Sequence, residues 1–183
     1  TKEESARDEG GAICGGDMKV FIDILQPREE ILIFGAGHIA IYLSKLAKIV
    51  GFRVTVIDER KEFANQERFP EVNQVITKKV SEALNNVKIT SSYYIVIVTK
   101  GHLQDEEVLN LVIQSNAAYI GMIGSHKKNA AVFQRLKEKG VREERINRVY
   151  SPIGIDIGAQ TPEEIAVSIM AEIIKIKRKK GMQ

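Results

Sequence analysis

The sequence predicts an α/β fold, a doubly wound parallel sheet with helices on both faces. Two observations predict it. Apolar runs of strand length alternate along the chain with segments of helical periodicity. The first of these runs, residues 31–34, leads into a glycine-rich turn at residues 35–40, where helical spacing begins. The chain has 183 residues, of which 44% are apolar and 28% charged, as expected for one globular domain.

The first half of the chain predicts a strand–helix–strand unit. Apolar residues at 39, 43, 46, 47 and 50 share one helical face, and Gly51 stands where a C-terminal cap glycine is expected. A second buried strand follows at residues 54–57 and ends at Asp58. Strands joined by a helical crossover lie parallel and form a βαβ unit.

The second half repeats this alternation. It predicts strands at 75–76, 94–98 and 118–121, and helices over 104–115 and 126–139. The last helix has a capping box of Thr161 and Glu164, with Pro162 at its first position. Because crossovers are right-handed, the leading strand order is 3-2-1-4-5.

Three regions are expected along the chain. Residues 1–29 contain a flexible lead, a Cys-Gly-Gly loop and, from the alternation in 18–25, an edge strand. Residues 30–176 form a nucleotide- or cofactor-binding domain, and residues 177–183 form a basic tail. An edge strand needs a pairing partner, so a homodimer is expected.

Charge and composition exclude several classes of partner. The net charge is +3, but five of the 27 basic residues lie within 175–180, and the remainder carries 22 positive against 24 negative residues. No nucleic-acid partner is therefore expected. No apolar run reaches the roughly 20 residues of a membrane span. The single cysteine, Cys14, excludes an intrachain disulfide and fits a reducing cytoplasm.

The glycine-rich turn predicts a nucleotide-type ligand and a Rossmann-like fold. Gly35 permits the tight turn, Gly37 lets the backbone approach a phosphate, and Ala40 replaces the third glycine. The helix start behind them attracts anions. Asp58 stands where a ribose-binding carboxylate belongs, and Asp58-Glu59 would repel a 2′-phosphate, so NAD is favoured over NADP.

A second anion site is expected at the turn before the helix of residues 126–139. Gly124 precedes Ser125, which can cap that helix, and Lys127 and Lys128 then fall in its first turn. Lysines oppose the helix dipole there, which is typical of a site for a negatively charged ligand. In the 3-2-1-4-5 order the two turns lie two strands apart, roughly 10 Å.

Other polar candidate residues follow the fourth predicted strand, residues 94–98, which lies between the strands that lead into these two turns, or lie near one of the turns. Thr99 and His102 fall where ligands of open α/β sheets bind. His38 lies within the first turn. Cys14 precedes two glycines in an adaptable loop, although a free cysteine is more often a small buried apolar residue. One cysteine and three scattered histidines show no metal-ligand spacing.

Four stretches of the sequence are distinctive together: 35–40 with 51–58, Arg60 with 63–65 and 67–70, 119–125 with 127–128, and 151–159 with 161–166. In these stretches the chain resembles the xanthine dehydrogenase accessory protein family (XdhC/CoxI type), specifically its C-terminal Rossmann domain. The most specific stretch is the one at residues 151–166. The resemblance covers about residues 30–175, and the upstream residues 14–22 resemble the end of the family's N-terminal domain, most of which is absent.

The resemblance implies an accessory factor that is a carrier rather than a catalyst. Such a factor binds the molybdenum cofactor, a pterin or pterin dinucleotide, assists its sulfuration, and delivers it to a molybdenum hydroxylase. Its partners would be that hydroxylase and a sulfur-donating enzyme, and Cys14 would contact the molybdenum or the sulfur. The cofactor-binding residues expected on this chain are Gly35, Gly37, His38, Asp58, Arg60, Thr99, His102, Gly124, Ser125, Lys127, Lys128 and Cys14.

Two other functions fit the glycine turn. The first is an NAD-dependent oxidoreductase, for which Lys100, His102 and Tyr119 are the candidate proton-relay residues. The second is a regulatory module that senses NAD through a change of assembly state. No catalytic residue is assigned, because these side chains match no known catalytic arrangement.

Overall fold

A parallel sheet of six strands forms the centre of the part that the computed structural model describes, residues 28–85 and 87–180. The strands are β1 (Glu30–Phe34), β2 (Arg53–Ile57), β3 (Gln74–Ile76), β4 (Tyr93–Ile97), β5 (Tyr119–Met122) and β6 (Val149–Tyr150). Their order is β3-β2-β1-β4-β5-β6, which confirms the predicted order of the first five. Strand β6 was not predicted, because its two residues are too few to show a period.

Helices cover both faces of the sheet, as predicted. They are α1 (His38–Ile49), α2 (Val80–Leu84), α3 (His102–Val112), α4 (His126–Glu138), α5 (Glu143–Ile146) and α6 (Pro162–Lys180). One core layer joins α1 and α6 to the sheet, and the other joins α2, α3 and α4 to the opposite face. The central strands are buried on both sides, so they consist of nearly continuous apolar runs.

Helix α1 follows its predicted apolar face with one exception. Leu43 and Ala47 are fully buried against α6 and the sheet. Val50, expected on the same face, is 39% exposed, because the helix ends there and the chain turns at Gly51. The C-terminal cap glycine is therefore confirmed, while the buried stripe is one residue shorter than predicted.

Helix α6 begins with the predicted capping box and continues further than expected. The Thr161 hydroxyl accepts from the Glu164 amide at 3.3 Å, and the Glu164 carboxylate accepts from the Thr161 amide at 3.1 Å. Near the other end, the Lys177 ammonium pairs with Glu29 and lies 4.5 Å from the centre of the Phe52 ring. The segment interpreted as a basic tail from residue 177 therefore begins as a packed turn of α6.

Part of the sequence interpretation lies outside the described residues. This applies to the flexible lead, to Cys14 and to the strand expected at 18–25. Among the helices of residues 28–85 and 87–180, none is both long and apolar enough to cross a bilayer.

Candidate functional site

The turns that carry the predicted site residues meet at one edge of the sheet. Strands β1, β4 and β5 are neighbours and run parallel, so the turns after them stand side by side at their carboxyl ends. The prediction that residues 35–40 and 124–125 lie two strands apart is confirmed by this order. Open α/β sheets bind ligands at this edge.

Gly35 is required by the close approach of β4. Its φ is +106°, and a Cβ atom there would stand 2.4 Å from the Val98 carbonyl oxygen. Its amide donates to the Ile57 carbonyl at 2.9 Å, which continues the ladder between β1 and β2. The first glycine of the motif therefore shapes the turn whether or not a ligand binds.

Gly37 is open where Gly35 is crowded. A Cβ atom on Gly37 would meet no other atom of the described residues within 4 Å. Gly37 is the N-cap of α1, no side chain in the described ranges caps the helix, and its first turn contains no acidic residue. Hydrogen bonding to Tyr42 lowers the pKa of Glu163, and the exposed His38, the first residue of α1, adds a smaller lowering. The start of α1 thus offers uncapped N–H groups and the positive end of the helix dipole beside open space.

Asp58 binds this turn and Arg60 rather than standing free. Its Oδ2 accepts from the Ala36 amide at 2.9 Å and from Nη2 of Arg60 at 2.7 Å. Its Oδ1 accepts from the amide and Nε of Arg60, at 3.0 and 2.9 Å. Burial alone would raise the pKa of Asp58, but the hydrogen bonds from Arg60 and Ala36 outweigh it and lower that pKa.

A second arginine, absent from the predicted set, lies at the same turn. The guanidinium carbon of Arg60 lies 4.2 Å from the centre of the Phe63 ring, and that of Arg68 lies 5.1 Å from it. Nη2 of Arg68 donates a long hydrogen bond of 3.4 Å to the Ala36 carbonyl, and its Nε is buried without a partner in the described structure. The sequence signal was the Glu-Arg-Phe-Pro stretch at 67–70.

The turn after β4 is largely occupied by its own contacts. The Thr99 hydroxyl donates to Asp105 at 2.6 Å, and the Thr99 amide donates to the same oxygen at 3.2 Å. Burial raises the pKa of Asp105, although these hydrogen bonds oppose the shift. Helix α3 begins at residue 102 rather than at 104, so His102 is its first residue and not a loop histidine. His102 and Lys100 are exposed.

The turn after β5 has the predicted cap. The Ser125 hydroxyl accepts from the Lys128 amide at 3.4 Å, and the Asn129 side chain donates to the Gly124 carbonyl at 3.1 Å. Lys127 and Lys128 are exposed, and neither forms an ion pair with a described residue. Helix α4 is therefore capped by its own chain, with two exposed cations beside the cap.

All three histidines of the chain lie along this edge. His38, His102 and His126 are the first residues of α1, α3 and α4. These helices follow β1, β4 and β5, which are adjacent in the sheet. His38 and His102 are among the cofactor-binding residues expected from the sequence, and His126 is not. The same signal could have identified His126, since each histidine directly follows the turn after a strand.

A cavity of about 480 Å³ lies beside the start of α4, and the sequence interpretation did not anticipate it. The loop of residues 152–159 forms most of its wall, with His126, Ile165 and Ser168. The Ser168 hydroxyl donates to the Ile155 carbonyl at 2.6 Å and holds the loop against α6. Asp156 is exposed at the cavity, and its Oδ1 accepts from the Gly158 amide at 3.2 Å.

Glu172 fixes the beginning of the same loop. Its Oε2 accepts from the Gly154 amide at 3.0 Å and from the Tyr119 hydroxyl at 2.5 Å. Tyr119 is 1% exposed, and burial together with the nearby Glu172 carboxylate raises the pKa of its hydroxyl well above the usual value. A phenol held in this way is unsuited to the proton relay considered for an oxidoreductase.

The described residues contain no cluster of three or more histidine, cysteine, aspartate or glutamate side chains that could hold a metal ion. The soft ligand considered for molybdenum, Cys14, lies outside them. The described part of the edge therefore offers anion-binding groups and a cavity, rather than a metal centre.

Comparison with known proteins agrees with this architecture. Residues 31–173 match the model of the XdhC Rossmann domain family. The chain is 36% identical over 171 residues to the uncharacterized protein YqeB of Escherichia coli, covering 93% of this chain and 31% of that protein. It is 31% identical over 160 residues to a probable xanthine dehydrogenase subunit of Bacillus subtilis, covering 87% of this chain and 46% of that protein.

A solved structure has the same fold. The crystal structure of a xanthine dehydrogenase from Bacillus halodurans superposes with a TM-score of 0.75 at 31% identity, covering 84% of this chain and 44% of that one. The chain therefore spans less than half the length of each of these relatives.

Proposed function

The chain belongs to the XdhC Rossmann domain family, and from this we propose that it is the cofactor-holding part of an accessory factor for a molybdenum hydroxylase. In this role it binds the molybdenum cofactor, as a pterin or pterin dinucleotide, and releases it to the hydroxylase. A sulfur-donating enzyme is the second proposed partner. The similarity to xanthine dehydrogenase chains of two Bacillus species supports the choice of hydroxylase.

The observation that carries the proposal is the cavity beside the start of α4. Its volume of about 480 Å³ lies in the range of roughly 300–1,000 Å³ that is typical of small-molecule sites. Its wall is the loop of residues 152–159, within the stretch by which the sequence most specifically resembles the family. The isoleucines of that loop suit a planar ring, and the Asp156 carboxylate can accept the paired N–H donors of a pterin edge.

The phosphate of such a cofactor finds suitable groups next to the cavity. Lys127 and Lys128 lie in the first turn of α4, which begins at His126 on the cavity wall. These groups fit the pterin and its phosphate, and when bound the cofactor supplies the molybdenum that the hydroxylase needs. We propose Cys14, the single cysteine of the chain, as the contact to the molybdenum or its sulfur, because a thiolate is a soft ligand.

The test is an anaerobic titration of the 183-residue chain with molybdenum cofactor released from a molybdenum enzyme, followed by pterin fluorescence. We expect saturable binding that Asp156→Asn weakens about tenfold or more, since a hydrogen bond to a charged group contributes about 1.5–3 kcal/mol. Joint replacement of Lys127 and Lys128 by glutamine should also weaken binding and reduce its dependence on salt.

The matched control is Lys45→Gln, which removes an exposed cation from the middle of α1 and should leave the affinity unchanged. Wild-type chain that shows no saturable binding contradicts the proposal. Equal affinity of wild-type and Asp156→Asn protein would show that the pterin does not bind in this cavity.

A second candidate function is supported by the open start of α1. Uncapped N–H groups beside Gly37 suit the phosphate of a nucleotide, as an NAD-dependent oxidoreductase or an NAD-sensing module would require. Hydride transfer with a panel of small alcohols and aldehydes would support the first. A nucleotide-dependent change of oligomer size would support the second.

A further inference from the structure

In dinucleotide-binding sheets, the residues that follow the second strand determine whether a ribose with a free diol or one with a 2′-phosphate binds. In dinucleotide-binding sheets, a carboxylate at this position accepts from a ribose diol, whereas an arginine accommodates a 2′-phosphate. This chain has both residue types within two positions of each other, Asp58 and Arg60. Their contacts decide which of them is available to a ligand.

Asp58 has no acceptor capacity left for a diol. An ionised carboxylate offers about four acceptor positions. Asp58 receives four hydrogen bonds, one from Ala36 and three from Arg60. Two of the four come from the Arg60 guanidinium in a bidentate pair, whose charge also offsets the repulsion that Asp58 would exert on a phosphate.

Arg68 has N–H donors that no described residue uses. Among the described residues its guanidinium makes one hydrogen bond, the long one to Ala36, packs on the Phe63 ring, and forms no ion pair with a carboxylate. Its Nε is buried and has no partner among those residues, and such an orphaned donor is costly. Because the side chain is half-buried, a ligand would reach it through Nη1 and the second N–H of Nη2, which have no acceptor among the described residues. Glu59 and Glu62 act electrostatically on Arg60.

The two arginines are held as one unit by Phe63. Both guanidinium groups lie within 5.1 Å of the centre of its ring. Arg68 also reaches the carbonyl of Ala36, the residue between Gly35 and Gly37. The unit therefore stands at the turn that leads into the open start of α1.

We propose that the β1–α1 turn binds a nucleotide whose ribose carries a 2′-phosphate, as NADP does, in preference to one with a free diol. Arg68 and the free edge of Arg60 bind the 2′-phosphate, and the start of α1 binds the pyrophosphate. This reverses the preference expected from Asp58-Glu59 alone. It is independent of the proposed pterin site, which lies beyond β4 at the start of α4.

The test compares NADP⁺ with NAD⁺, and adenosine 2′,5′-bisphosphate with adenosine 5′-monophosphate, by calorimetry on the 183-residue chain. We expect each 2′-phosphorylated ligand to bind about tenfold or more tightly than its partner, a difference of about 1.4 kcal/mol or more. Arg68→Gln should abolish the difference, and Arg68→Lys should restore part of it. Arg142→Gln, which removes an exposed arginine far from this turn, should leave it intact.

A second variant tests the role assigned to Asp58. Arg60→Gln should free acceptor positions on Asp58 and shift the preference towards NAD⁺. Equal or tighter binding of NAD⁺ by the wild-type chain overturns the proposal, and so does the absence of binding by either dinucleotide. Retention of the full NADP⁺ preference in folded Arg68→Gln protein would overturn the assignment of the phosphate to Arg68.

Discussion

The turns after β1 and β5 have equivalent places in the fold, but they differ in whether their own residues cap the helix that follows. Both follow a buried strand, both open a helix, and both were predicted to bind an anion. At the start of α4, Ser125 caps the helix, and its cations are two exposed lysines. At the start of α1, no side chain of the described residues caps the helix, and the cations are arginines that pack on Phe63.

The difference indicates two kinds of ligand site at one edge of the sheet. The α1 turn is built in advance, because its arginines are fixed by Asp58 and Phe63 before any ligand arrives. The α4 turn depends on the adjacent cavity for shape, and its lysines are held by no ion pair with a described residue. We therefore expect the first turn to determine which nucleotide binds, and the second to add general attraction for phosphate.

The largest effect on this comparison should come from Gly35→Ala. The new Cβ would collide with the Val98 carbonyl at 2.4 Å, in a backbone conformation that alanine rarely adopts. We expect a loss of about 3 kcal/mol or more in the free energy of unfolding, measured by urea denaturation. Gly37→Ala is the matched control, and it should cost less than about 1 kcal/mol because its Cβ has open space.

Asp58→Asn should have the next largest effect. It leaves the Arg60 guanidinium without its carboxylate, at a cost of about 2–3 kcal/mol. Because the folded state lowers the pKa of Asp58, its contribution is complete above the unfolded pKa of about 3.9 and is lost as the pH falls through the folded value. The difference between the free energies of unfolding at pH 7 and at pH 3 should therefore be smaller for the variant than for the wild-type protein. An unchanged pH dependence would contradict this assignment.

Glu172→Ala tests the support of the cavity on the α4 side. The variant removes the acceptor shared by the Gly154 amide and the Tyr119 hydroxyl, so we expect a loss of about 1–2 kcal/mol. Amide exchange should accelerate in residues 153–158 and stay unchanged at the β1–α1 turn. Equal acceleration in both regions would show that the two sites are not independently supported.

The smallest effects should come from exchanging the caps. Ser125→Ala removes a long hydrogen bond and should cost about 0.5 kcal/mol, whereas Gly37→Ser would add a cap to α1 and change stability by a few tenths of a kcal/mol. The useful readout is nucleotide affinity. A serine hydroxyl at 37 would occupy the N–H groups of α1, so NADP⁺ binding should weaken in Gly37→Ser and persist in Ser125→Ala.

The fold could be predicted from the sequence because its signals are local. Apolar runs predict the first five strands, the glycine turns predict the starts of α1 and α4, and the capping box of Thr161 and Glu164 predicts the start of α6. The short helices α2 and α5 have no such signal and were not predicted. Strand β6 escaped prediction because it has only two residues and depends on pairing with β5. The predicted end of α3, residue 115, lies close to its observed end at Val112. Its predicted start, residue 104, is two residues late, because Gly101 is the N-cap and His102 is the first residue of the helix.

The candidate site could be predicted only in part, because its contacts join distant segments. The place of Asp58 in the sequence does not reveal whether its carboxylate binds a ribose or an arginine. The structure shows that it binds Arg60. Arg68 lies 32 positions from the Ala36 carbonyl that it contacts. The cavity depends on Glu172 and Ser168 of α6 holding residues 152–159, a long-range arrangement that no periodicity reveals.

The central claim, that this edge of the sheet holds a molybdenum pterin, is tested most directly by native mass spectrometry. The protein would be purified anaerobically from a host that makes the molybdenum cofactor. We expect a peak that is heavier by the mass of a molybdenum pterin, and we expect a smaller fraction of Asp156→Asn protein in that peak. A bare protein peak, or an increment that matches a nucleotide alone, would contradict it.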